Sequence, residues 1–169
     1  MDYPFNSIEC YLSVEIVGSC DGFLCLLFRL GHDARRTILC LWNPATKEYK
    51  QIPKSPYDDD NDKSVTKISM VAFRYDAKSD DYKLLTRYRK IVQVYSLRLN
   101  SWRTIGDVNF YTTLKLGVFV NGELHWLAKV LRGSSEIVVS LDISEETFKE
   151  IQLPTEPLVN KHKFTTLGV

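Results

Sequence analysis

No apolar stretch in the 169 residues is long enough to cross a bilayer; the longest unbroken one, Phe23 to Phe28, falls far short of the roughly 20 residues a spanning helix needs. The N-terminus has neither a basic n-region nor an apolar h-region, so no secretory leader and no membrane partner are expected. Charge of one sign is also lacking. Lys plus Arg number 22 against 21 for Asp plus Glu, a net of +1, which leaves no field to gather a polyphosphate and sets nucleic acid aside as a partner. Four cysteines, Cys10, Cys20, Cys25 and Cys40, crowd the first quarter without a C-x2-C pair. The histidines His32, His125 and His162 lack a His-x3–5-His partner, which excludes a zinc cluster, and the cysteines are expected to be buried structural thiols. Asp58, Asp60 and Asp62 alternate as calcium ligands do, but lysine stands at 63 where the loop needs glycine and serine at 69 where it needs glutamate. Gly-rich phosphate loops, Ser-His-Asp order and paired carboxylates are absent, so neither a cofactor nor an enzymatic reaction is expected. Finally, no segment keeps apolar residues at helical spacing for ten positions. Ser144 to Ile151 comes nearest and is too short, which makes the chain all-β.

What the sequence does contain is a repeat. The segments Ile38–Ile52, Ile91–Ile105 and Ile137–Ile151 align without gaps. Each opens on isoleucine and carries a large apolar residue four positions on (Trp42, Tyr95, Leu141), then a short polar turn-former (Asn43, Ser96, Asp142). An aromatic follows (Tyr49, Trp102, Phe148), then a cation (Lys50, Arg103, Lys149), and two residues later isoleucine again. The copies are offset by 53 and 46 residues, near the roughly 50 of kelch-type blades.

Each copy reads as two strands around a tight turn. A second hairpin precedes it. Val14–Gly18 turns at Asp21-Gly22 into Phe23–Phe28, and Gly117–Val120 turns at Asn121-Gly122 into Glu123–Ala128, both dipeptides being strong type I′ signals. Between them Ser69–Tyr75 turns through residues 77 to 80 into Tyr82–Thr86. Four strands per repeat describe a blade, so the expected architecture is a partial kelch-like β-propeller of about three four-stranded antiparallel blades. They fall at roughly 13–53, 67–106 and 114–154 within one domain, with 164–169 opening a fourth. Trp42, Trp102 and Trp126 are expected to pack between blades, and His125, on a strand, to cap the core rather than catalyse.

Five successive segments carry a family resemblance: Val17–Leu26, Leu41–Lys50, Phe73–Lys83, Val94–Arg103 and Gly117–Ala128. In this order they resemble the signatures of the F-box-associated, kelch-like domain of plant F-box proteins. The resemblance implies a cytoplasmic or nuclear substrate receptor of a Skp, cullin and F-box ubiquitin ligase, whose propeller selects the protein to be ubiquitinated. The first signature begins within some twenty residues of Met1, leaving no room for F-box helices, so Skp and cullin subunits are expected as partners only if an F-box lies upstream. Two alternatives stay open: a kelch-type glycan- or ligand-binding propeller, and a truncated fragment without ligase function.

Strand alternation sorts the connections onto two ends. The turns inside the hairpins are tight, whereas the segments 29–36, 53–67, 87–90, 106–113, 129–135 and 154–164 read as longer loops, and binding residues concentrate on loops held by a rigid scaffold. Basic residues mark three of them, Arg35 and Arg36, Arg89 and Lys90, Lys129 and Arg132, while Asp58 and Asp60 make another acidic; Tyr57 and Tyr111 are candidate anchors. These ten residues are the expected contacts for a protein partner. Three blades with unpaired terminal strands are also expected to self-associate through open sheet edges.

Overall fold

A computed structural model describes residues 11–30, 36–57, 68–113, 115–131 and 136–153. These form thirteen strands and no helix. The first sheet holds β1 (Tyr11–Cys20), β2 (Phe23–Leu30), β3 (Arg36–Trp42) and β4 (Tyr49–Gln51) in sequence order. The second holds β5 (Val71–Asp76), β6 (Asp81–Tyr88), β7 (Ile91–Ser96) and β8 (Ser101–Asp107) in the same way. The third runs through β10 (Val118–Val120), β11 (Glu123–Val130), β12 (Glu136–Asp142) and β13 (Thr147–Gln152), with β9 (Phe110–Thr112) added beside β11. All pairings named here are antiparallel, and none of the sheets closes on itself, so the three blades make a partial propeller. Residues 164–169, expected to open a fourth blade, lie outside the described residues, as does Cys10.

The repeat columns have a physical meaning that the turns disclose. Asn43 Oδ1 accepts the amide of Ala45 at 3.0 Å, Asp142 Oδ1 those of Ser144 and Glu145 at 2.9 and 3.0 Å, and Ser96 Oγ that of Leu99 at 3.0 Å. The short polar residue thus holds each turn by a local side-chain bond. Every such turn then closes on a residue of positive φ at one repeat position: Lys47 at 62°, Asn100 at 52° and Glu146 at 56°. The two-residue turns behave as their sequence demands. Asp21 and Gly22, and likewise Asn121 and Gly122, all have positive φ, the requirement of type I′.

One strand was not expected. β9 pairs with the end of β11 (Ala128 to Val130) while β10 pairs with its beginning (Glu123 to His125), so two short strands share the inner edge of the third blade. In the gap between them the chain crosses to the second blade. The Val71 amide donates to the Lys115 carbonyl at 2.9 Å, and Leu116 makes a parallel bridge with Val71.

Each inter-blade space is filled by one apolar cluster. Val17, Leu27, Leu39 and Leu41 meet Phe73, Leu84 and Tyr95 between the first two blades; Met70, Leu85, Val92 and Val94 meet Trp126, Ile137, Val139 and Leu141 between the second and third. Backbones approach closely here. A Cβ on Gly18 would come within 2.9 Å of Phe73 Cβ, and one on Gly117 within 2.5 Å of the Trp126 indole. Not every expected core residue is shut in. Tyr49 and Ile151, on the outermost strands β4 and β13, are 51% and 45% exposed, because an outer strand has a neighbour on one side only. Trp126 does fill the space between blades. Trp102 is half-buried against Tyr95, and Trp42, contrary to expectation, belongs to a cluster with Phe28 and Cys40 on the other face of the first sheet. Cys25 and Cys40 are buried, and burial pushes the Cys25 thiol far above its ordinary range and that of Cys40 up to about 12, so both are inert; Cys20 is only half-buried.

A polar clasp joins the second and third blades at their tight-turn end. Lys83, 6% exposed, reaches Asp76 at 2.7 Å, Glu146 at 3.1 Å and the Ile143 carbonyl at 3.1 Å. Ser144 donates to Asp76 at 2.5 Å, and Arg103 pairs with Glu146 from outside. Burial opposes the charge on Asp76, but hydrogen bonds from Lys83, Ser144, Ser79 and the Lys78 amide outweigh it and hold the carboxyl well below the usual carboxylate range.

Two outcomes follow from this packing. Gly18→Ala and Gly117→Ala should each lose about 1–3 kcal/mol of stability by overpacking, against less than about 0.5 for the exposed Ser19→Ala, as read from urea midpoints. Because folding lowers the Asp76 pKa, its contribution is complete above its unfolded value of about 4 and vanishes as the pH falls through the folded value. Asp76→Asn should therefore cost about 3 kcal/mol at neutral pH and flatten the loss of stability below about pH 4, measured by denaturant unfolding from pH 7 to pH 2.

Candidate functional site

Four of the ten expected contact residues, Arg35, Asp58, Asp60 and Arg132, lie outside the described residues. The other six are placed, three of them, Arg36, Tyr111 and Lys129, on strands. Arg36 is the first residue of β3 and is exposed. Arg89 and Lys90 form a two-residue turn between Tyr88 and Ile91, with Arg89 at φ 54°, so the long loop expected over 87–90 is a tight hairpin. Tyr111 and Lys129 face each other across β9 and β11. The backbone after Asp107 finds partners that a free loop would not have. Val108 donates to the Lys90 carbonyl at 2.8 Å, and Leu131 to the Asn109 carbonyl at 2.9 Å. Tyr57, on the segment after β4, is exposed and donates its amide to Ser55 Oγ at 3.1 Å.

The structure gathers these six into two patches at the same end of the blades. One, over the second and third blades, contains Arg89, Lys90, Tyr111 and Lys129, the last paired with Glu136 at 3.2 Å. The other, over the first and second, has Arg36 at a cavity of about 140 Å3, with Tyr57 two residues beyond its lining residue Ser55. Its walls come from Leu30, Thr37, Leu39, Ile52, Tyr88 and Trp102, and its lip from Arg36, Gln51 and Lys54. Sequence reading missed the cavity because its walls come from four strands and the segment of residues 52–55. The segment is fixed by three bonds: Ile52 donates to Leu39 O at 2.9 Å, the Trp102 indole to Pro53 O at 2.7 Å, and Ser55 Oγ to the buried Gln93.

Arg87 is the unexpected member of this end. It opens the segment 87–90 that reads as a loop in sequence, but it sits on β6 and is 4% exposed, its guanidinium 5.7 Å from the Phe110 ring. Nε donates to the Arg89 carbonyl at 2.5 Å, but Nη1 is buried without a hydrogen-bond partner, and burial lowers the pKa of the group. Among the described residues no carboxylate pairs with it. His125 is half-buried on β11, its Nδ1 3.2 Å from the Glu123 carbonyl, and no group of three His, Cys, Asp or Glu side chains among the described residues is arranged to hold a metal. No described helix is long and apolar enough to cross a membrane.

Comparison with known proteins finds relatives along most of the chain. A family model described as the F-box associated beta propeller domain matches residues 4–169. The chain is 30% identical over 152 residues to an F-box/kelch-repeat protein of Arabidopsis thaliana, which covers 83% of this chain and 39% of that protein. From the same plant, the F-box protein CPR1 is 27% identical over 168 residues (83% and 39%), and an F-box/LRR-repeat/kelch-repeat protein 29% identical over 159 residues (88% and 40%). The chain therefore spans about two fifths of the length of the curated relatives it matches.

An unpaired buried guanidinium costs stability that an apolar side chain of similar length does not. Arg87→Met is accordingly expected to raise the free energy of unfolding by about 1–2 kcal/mol in urea titrations, whereas Arg89→Met, in the exposed turn, should leave it within about 0.5.

Proposed function

The chain belongs to the F-box associated beta propeller family, and from that premise we propose that it is the protein-recognition part of a ubiquitin-ligase substrate receptor, with its contacts at the end of the blades bearing Arg36, Tyr57, Arg89, Lys90, Tyr111 and Lys129. The three sheets serve as consecutive blades of one domain. The observation that carries the reading is the placement of exposed tyrosines and cations, on strands and tight turns, at one end of a rigid scaffold. Tyr57 and Tyr111 offer large contact area with few rotatable bonds, the property that makes tyrosine common among binding hot spots. Cations around them select partners by charge and speed encounter more than they add affinity. Asp58, Asp60, Arg35 and Arg132 stay in the proposal as contacts expected from the sequence. The role is selection, with transfer of ubiquitin left to the ligase, and Skp and cullin subunits are engaged only where an F-box accompanies the blades in one polypeptide.

The test is quantitative co-purification from plant cells with the proteasome blocked, comparing the tagged chain with Arg89→Glu/Lys90→Glu and with Leu99→Ser, an exposed position on the opposite, tight-turn end. A set of proteins lost at least about tenfold in the double variant and kept with Leu99→Ser is expected, since reversing two charges in an interface costs several kcal/mol. Equal capture by all three forms, or loss with Leu99→Ser alone, would refute the assignment of this end.

A further inference from the structure

The cavity over the first two blades has a chemistry more specific than a contact surface. Its volume of about 140 Å3 is close to the roughly 150 Å3 of an engineered apolar cavity that accepts benzene, so it has room for one branched aliphatic side chain. Two polar groups on its inner side are already used. The Trp102 N–H is donated to Pro53 O and the Ser55 hydroxyl to Gln93, which leaves a guest the indole ring, Leu39, Ile52 and Tyr88 to pack against. Beyond the Thr37 and Tyr88 hydroxyls the inner wall offers little to replace the hydration a polar guest would lose. The lip is different. Arg36 is exposed and, among the described residues, no carboxylate pairs with it. The bonds that tie residues 52–55 to β3, β7 and β8 hold the walls in place before any guest arrives, which lowers the entropy lost on binding.

We propose that this cavity receives a leucine-sized aliphatic side chain from an acidic segment of the selected protein, with Arg36 taking the neighbouring carboxylate. The inference rests on the recognition reading and names the kind of sequence it selects. Apolar size gives the fit, and the charge at the lip discriminates between acidic and basic segments carrying the same side chain.

Three small probes test it by methyl and indole NMR on the whole chain: N-acetyl-leucine, its uncharged amide, and acetate. N-acetyl-leucine should give saturable shifts at Leu39, Ile52 and Trp102. The amide should bind about two- to fivefold more weakly, the worth of one exposed ion pair, and acetate should not reach the methyl groups. Arg36→Gln should abolish the difference between acid and amide, and Leu39→Phe, which fills the space, should abolish both responses while signals of Val139 in the other cluster stay in place. Should Leu39→Phe fail to fold, the surface change at Arg36 still decides. Equal binding of acid and amide to the unaltered chain, or no saturable shift at the three residues, would overturn the inference. If the Arg89→Glu/Lys90→Glu chain loses its co-purifying proteins while these probes fail, only the cavity's selectivity is refuted; if the probes behave as stated and capture is indifferent to the double change, the wider assignment is.

Discussion

A four-stranded sheet that is apolar on both faces has to be covered on both, and in this protein that need governs how the chain is arranged. The face of β6 that carries Leu84 turns to the first blade, while Leu85, one residue on, turns to the third. With period-two alternation, a strand in this position cannot have a polar face, and the sheets stack as blades rather than lying flat in one layer. Turns are consequently driven to the two ends, because only there can their backbone groups meet water.

Polar groups caught inside that stack are handled in two ways. Lys83 is surrounded by Asp76, Glu146, Ser144 and a main-chain carbonyl contributed by the third blade, so its charge is compensated and its geometry ties one blade to the next. Arg87, two turns of pleat along the same strand, lacks such a set. The contrast places a satisfied network at the tight-turn end and an unsatisfied one beneath the proposed contact end. Proteins tolerate local energetic conflict of this kind more readily near surfaces that bind than in scaffolding. The clasp and the close approaches at Gly18 and Gly117 make a stiff base from which the rim residues project.

Much of the scaffold was legible in the sequence because turn chemistry and pleat periodicity are local. Asp21-Gly22 and Asn121-Gly122 required positive φ, and the polar column of the repeat required a side chain that could bond to its own turn. The loop reading was less successful. Residues 87–90 and 106–113 lie between the strands that the repeat predicts and so read as connections, yet they form a hairpin and a strand because β7 and β11 offer them hydrogen bonds. Tyr111 and Lys129 were singled out separately, and only their cross-strand register makes them neighbours.

The sequence by itself determined the paired hairpins of each unit, the turn types, the threefold similarity and the absence of helix among the described residues, since each depends on interactions among residues a few positions apart. It also carried the family, through segments whose order is a property of the chain. Tertiary structure alone decided that Arg87 is buried while Arg36 is exposed, that Lys83 has two acids within reach, and that Leu39, Ile52, Tyr88 and Trp102 enclose a space. Those outcomes depend on how one sheet is rotated and offset against the next, which is set by the sum of many side-chain contacts across the blade interfaces and is written in no single segment.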